Sequence, residues 1–184
     1  TLTTINCDFF KAVHFGGFRD AMESPLILDM AIHHFDMARL IGGKDPVAVY
    51  AEEFNPHGSW YKGDVAANCI FEMEDGVRFA YRGSWCAEGF QTSWNGHWRI
   101  IGDRGTLLFE YDEPPKGQVV AGTKGNIRPT RDIKVPVPKM PTVLASPRAR
   151  CLVATPLAAP VRIWPMSPAS ITASRSPDCP SQSS

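Results

Sequence analysis

The sequence predicts an α+β fold: an open, mostly antiparallel sheet with a buried central helix on one face, followed by an irregular, proline-rich tail. Three observations predict it. Residues 24–43 carry matched start and stop signals for a helix, paired runs between residues 65 and 110 alternate apolar and polar as strands do, and prolines crowd the chain beyond Ile133. The chain of 184 residues is long enough for one sizeable core.

In order, residues 3 to 14 alternate loosely through Ile5, Phe9, Phe10 and Val13 and read in part as a strand. Residues 15 to 20 form a glycine-containing loop that brings Arg19 to the start of the helix. There Arg19 either clamps an anionic or hydroxylated ligand or pairs with Asp20 or Glu23. Ser24 suits the helix N-cap, Pro25 the first helical position, and Gly42-Gly43 the positive φ that ends a helix. Residues 47 to 51 read as the next strand and residues 55 to 59 as a loop leading to Trp60 and Tyr61. These aromatics either wall a polar-substrate pocket or cover a core edge.

The best hairpin follows. A two-residue Asp75-Gly76 turn would set Met73 opposite Arg78, whereas a three-residue Glu74-Asp75-Gly76 loop sets Met73 opposite Val77 and Phe71 opposite Phe79. Only the second keeps both apolar sets on one face, with Gly76 left-handed. Residues 94–102 and 106–110 form a further pair around Asp103-Arg104-Gly105. The predicted organisation is a domain over residues 1–132 and a tail over 133–184, disordered or produced by a reading-frame slip near residues 140 to 150.

Formal net charge is zero and no basic run occurs, which argues against nucleic acid or an anionic membrane as partner. Five cysteines without a C-x-x-C pair argue against a disulfide framework or thiolate zinc and favour a cytoplasmic setting. No apolar run approaches the roughly 20 residues of a membrane span. A start at Thr1 rather than methionine suggests a fragment.

On the helix, Asp29, His33 and Asp36 share one wedge while apolar residues occupy nearly all the rest. Buried unpaired charge is costly, so the wedge is expected to face a cleft. A histidine beside a carboxylate is a proton-transfer pair; the plainer alternative is a hydrogen-bonded pair with no further role. His34 points the other way and reads as a structural histidine. Convergence of Asp29, His33, Asp36, His57 and His97 on a metal is the rival use, but no recognised ligand spacing supports it.

The run from Leu28 to Asp36, followed by Gly42-Gly43 and a strand, resembles the D-x-x-x-H-x-x-D helix of the glucose-fructose oxidoreductase and inositol dehydrogenase family (Gfo/Idh/MocA). Residues 101–107 resemble that family's I-G-x-x-G-x-L strand turn, and the likeness covers about residues 5 to 125. The resemblance implies a C-terminal sheet domain that partners an N-terminal Rossmann domain binding NAD or NADP. It also implies a sugar or polyol substrate and homo-oligomerisation through the open sheet face. It assigns Asp29 and His33 as the substrate-binding and proton-transfer pair and Asp36 as the nearby acid; Arg19 has no equally firm counterpart. With Trp60, Arg19 and Asp36 are the candidate substrate contacts. The family's E-K-P lysine and glycine-rich nucleotide loop are not in this sequence. The expected function is therefore the substrate half of an NAD(P)-dependent oxidoreductase, inactive as this fragment; the alternative is a noncatalytic module for oligomerisation or partner binding.

Overall fold

The computed structural model describes residues 1–136 together with the backbone of Arg162–Ile163. Among these, nine strands form a single sheet: β1 (Leu2–Phe10), β2 (Pro46–Phe54), β3 (Ala66–Met73), β4 (Arg78–Ser84), β5 (His97–Gly102), β6 (Gly105–Phe109), β7 (Lys116–Val120), β8 (Thr130–Lys134) and the two-residue β9 (Arg162–Ile163). Their spatial order is β8-β7-β6-β5-β1-β4-β3-β2-β9. The sheet is open and mostly antiparallel, as expected, with parallel pairing of β1 to β4 and of β2 to β9. Of the predicted tail over 133–184, residues 133–136, which include the end of β8, and the backbone of Arg162–Ile163 are described; the rest lies outside the described residues.

One face of the sheet is covered by helix. A short α1 (Phe18–Ala21) precedes a π-helical turn (Ile27–Ala31), which runs directly into α2 (Ile32–Gly42). The strand pattern explains the core: Ile5, Cys7 and Phe9 of β1, Ala67, Cys69 and Met73 of β3, Phe79 and Tyr81 of β4, and Trp98 of β5 alternate onto the helical face, where they are buried. Leu26, Ala31, His34 and Ala38 meet them from the helix. Phe35 packs edge-on against Phe71 at 4.9 Å and Tyr81 at 5.2 Å, and Phe71 stacks on Phe79 at 5.3 Å.

The predicted β3–β4 register is found. Phe71 pairs with Phe79, the Met73 N–H donates to the Val77 carbonyl at 2.9 Å, and Gly76 has φ +74°. Asp75 is also left-handed, at φ +54°, and its carboxylate pairs with Lys44.

Helix entry and outer face differ from the sequence expectation. The Ser24 carbonyl accepts the Leu28 N–H at 3.1 Å, which starts the helix where predicted. The Ser24 hydroxyl does not cap it; it donates to Glu53 Oε2 at 3.1 Å, because β2 lies beneath and offers a charged acceptor. At the far end only Gly43 is left-handed (φ +59°), while Gly42 closes on Ile5 of β1. The helix is buried along its sheet-facing side, but Leu28, Ile32, Leu40 and Ile41 on the other side are exposed.

Candidate functional site

Asp29 lies on the π-helical turn, in a wider helical register that recurs at functional sites. Its carboxylate is gripped by Arg19 from α1: Nε donates to Oδ2 at 2.6 Å and Nη2 to Oδ1 at 3.3 Å. Both side chains are mostly buried, 32% exposed for Arg19 and 26% for Asp29. The hydrogen bond to Asp29 holds the Arg19 guanidinium above its usual pKa. That guanidinium also packs over the Phe15 and Phe18 rings, 4.9 and 4.7 Å from their centroids. The sequence offered Asp20 or Glu23 as pairing partners of Arg19; the partner is Asp29 instead, which the fold brings against α1.

His33 is exposed on the outer side of α2 and makes no hydrogen bond or ion pair among the described residues. Asp36 is two turns from Asp29, roughly 10 Å along the axis. It accepts from Arg39 Nη1 at 3.3 Å, in a charged group with Asp45, Lys44 and Glu74 around a depression of about 300 Å³. The three wedge residues are thus not joined to one another. His33 and Asp36 are exposed on the outer side of the helix, which has no covering layer among the described residues, while Asp29 is largely covered by Arg19.

Trp60 is half-buried. Its Nε1 donates to the Val13 carbonyl at 3.1 Å, and His14 stacks on it at 3.7 Å. From Trp60 an aromatic row runs through Tyr61 (5.7 Å), Trp85 (6.3 Å) and Phe15 (5.3 Å) to the Arg19 guanidinium. The loop carrying Trp60 is fastened to the approach to the helix by Lys62 N–H to Asp20 O (2.8 Å) and Asp64 N–H to Glu23 O (2.7 Å). Gly63 fits between these bonds, where a Cβ would sit 2.1 Å from the Glu23 carbonyl oxygen. Trp60 therefore stands at one end of the wall whose other end is Arg19.

His34 is fully buried beside Phe9 and Tyr81, with Nε2 3.3 Å from the Trp94 carbonyl. Burial lowers its pKa from 6.5 to about 4. It is the structural histidine that the sequence indicated. Sequence reasoning missed Glu53, whose carboxyl burial pushes up in pKa while Ser24 donates to it. Only its position on the inward face of β2 signals that role. It also missed the Arg19–Asp29 pairing, since the partners are ten residues apart across an irregular loop.

A depression of about 810 Å³ lies over β5 to β8 and includes Arg99, Thr106, Lys116 and Asp132. It contains none of the wedge residues. No group of three or more metal-binding side chains converges among the described residues. A dinucleotide does not fit them either. Gly16 and Gly17 stand between a strand and a helix, but α1 has only four residues, too short for the aligned peptide dipoles that hold a pyrophosphate.

An open sheet with a helical layer on one face defines an α+β domain. The comparisons identify it. The GFO/IDH/MocA C-terminal domain matches residues 2–108, more than half of the chain, and the chain belongs to that family. The uncharacterized protein y4oX of Sinorhizobium fredii is 27% identical over 117 residues, covering 61% of this chain and 32% of that protein. UDP-N-acetylglucosamine 3-dehydrogenase GnnA from Acidithiobacillus ferrooxidans shares the fold at TM-score 0.58 and 17% identity, over 77% of this chain and 42% of that one. An oxidoreductase from Agrobacterium radiobacter, solved with NAD+, L-tartaric acid and magnesium, matches at TM-score 0.57 and 18% identity, over 72% of this chain and 37% of that one. The chain therefore spans about a third of its curated relative and about two fifths of these solved chains.

Proposed function

We propose that this chain is the substrate-side half of an NAD- or NADP-dependent oxidoreductase acting on the CH–OH group of a sugar or polyol. The observation that carries the reading is His33, unpaired and open on the outer face of α2, one turn from the Arg19–Asp29 pair. Family membership and fold neighbours named as a sugar-nucleotide dehydrogenase and an NAD+-bound oxidoreductase support it.

In this reading His33 takes the proton from the substrate hydroxyl, or returns it in the reverse direction. The Asp29 carboxylate accepts a hydrogen bond from a neighbouring hydroxyl with its remaining lone pairs, and Arg19 and Trp60 border the sugar face. Asp36 contributes at a distance, through the charge around the helix. The nicotinamide supplies the hydride acceptor or donor, and the nucleotide-holding residues belong outside this chain. Exposed Leu28, Ile32 and Phe18 ring the site with apolar surface suited to contact with that second half. By itself the chain turns over no sugar. It works in the cytoplasm as a homo-oligomer joined through the open sheet face, with no membrane or nucleic-acid partner.

In the full-length protein, His33→Ala should lower kcat by about 100-fold or more while nicotinamide affinity stays nearly unchanged. Steady-state kinetics followed by nicotinamide absorbance, with cofactor titration alongside, would check this. Unchanged turnover would favour a noncatalytic sheet module.

A further inference from the structure

We propose that Arg19 is a positioning residue that commits Asp29 to one orientation and keeps it from pairing with His33. The inference rests on the functional reading above for its catalytic consequence, but its structural core is independent of it.

The carboxylates one turn to either side of His33 on the helix are Asp29 and Asp36. Each is already held by an arginine: Asp29 by Arg19 with two N–H donors, and Asp36 by Arg39 at 3.3 Å. His33 lies between them with no partner among the described residues. A two-point guanidinium–carboxylate contact fixes direction as well as distance. Here the guanidinium is itself fixed, because Phe15 and Phe18 pack against it and Phe15 is braced edge-on by Trp85 at 5.3 Å. The π-helical turn acts in the same sense. Its extra residue breaks the register by which side chains four apart stack on a regular α-helix, so Asp29 swings toward α1 instead of along the helix toward His33.

The consequence is a division of labour. Asp29 serves the substrate as a fixed hydrogen-bond acceptor, and His33 exchanges its proton without a carboxylate on its ring. Without Arg19, Asp29 is released and the i, i+4 pair with His33 becomes available. A neighbouring carboxylate stabilises the imidazolium, so the histidine would then titrate at higher pH.

The test uses Arg19→Met and Arg19→Lys in the full-length protein, with two readouts. Proton NMR titration of the His33 ring should move to higher pH in Arg19→Met, and the shift should vanish in Arg19→Met/Asp29→Asn. The ionisation limiting kcat/KM should move in the same direction, with kcat reduced on the order of 10- to 100-fold. Arg19→Lys, which keeps the charge but not the two-point geometry, should give an intermediate shift. A raised substrate KM with an unmoved pH profile would instead make Arg19 a direct ligand contact and overturn the proposal. An unmoved His33 titration in both variants would overturn it as well. Loss of fold in Arg19→Met leaves the lysine variant to decide. If His33→Ala leaves turnover intact, the functional reading fails, yet the His33 titration still tests whether Arg19 restrains Asp29.

Discussion

His33 and His34 are adjacent in the chain and opposite in environment. His33 stands open to solvent, whereas His34 is sealed beneath α2 with its Nδ1 unpaired and its Nε2 directed at the Trp94 carbonyl. Desolvation is the largest influence on His34, the contact with Trp94 opposes it, and His33 adds to it; the result lies near 4. A histidine whose folded pKa is depressed binds its proton more readily when unfolded. Its contribution is complete above about pH 6.5 and is lost as pH falls toward about 4, a total on the order of 3 kcal/mol. Urea unfolding across that window should show stability falling with acid, and His34→Gln should flatten that part of the slope. Equal slopes in the two proteins would count against it. The contrast between the two histidines was legible in the helical spacing alone. The engagement of Asp29 and Asp36 was not, because it depends on arginines placed by the short α1 and by the last turn of α2, and periodicity carries no information about them.

At the scale of elements, the hairpin between β3 and β4 shows what period-two alternation can decide: one register buries Phe71, Phe79 and Met73 together, and the chain adopts it. The helix entry shows what it cannot decide. Ser24 has the right chemistry for a cap, yet a strand distant in sequence supplies Glu53 and wins its hydroxyl. The Trp60 loop is held to the helix approach through main-chain bonds on either side of Gly63, so any side chain there meets carbonyl oxygens rather than movable side chains. Gly63→Ala should therefore destabilise the domain by about 1–3 kcal/mol. Because the same displacement carries Trp60 away from the Arg19 wall, the variant should also quench or shift tryptophan fluorescence in the native baseline. A silent substitution would mean the loop is less firmly fastened than its bonds suggest.

The molecule as a whole has two unlike faces. Behind the helix-covered core, the other face of the sheet carries paired opposite charges, Arg82 on Asp8 at 2.6–2.8 Å and Arg78 on Glu72 at 3.2 Å, and a neutral donor, Gln118, on Asp132 at 2.9 Å. Such a checkerboard can meet a rotated copy of itself with unlike charges opposed. If the open face joins subunits, Arg82→Glu sets like charges beside Asp8 and should shift sedimentation toward the monomer while the fold is retained. An unchanged mass would place the contact elsewhere. The overall class, the sheet and its covering helix were readable from turns and alternation. The outward aim of the site was not, because an apolar helix looks the same in sequence whether both sides are covered by its own domain or one side awaits a second body.

The place of β1 sets a temporal order on assembly. Its neighbours on either side, β4 and β5, emerge some seventy to a hundred residues later, so the earliest of the described strands sits in the middle of the finished sheet. Until both arrive, its Ile5, Cys7 and Phe9 have no lasting partners, and the hairpins on each flank are separate pieces with nothing to join them. Closing such distant ends is slow. During synthesis the ribosome thus releases most of the domain before its keystone can lock, and the nascent chain is exposed to sticking or to chaperone capture throughout that interval.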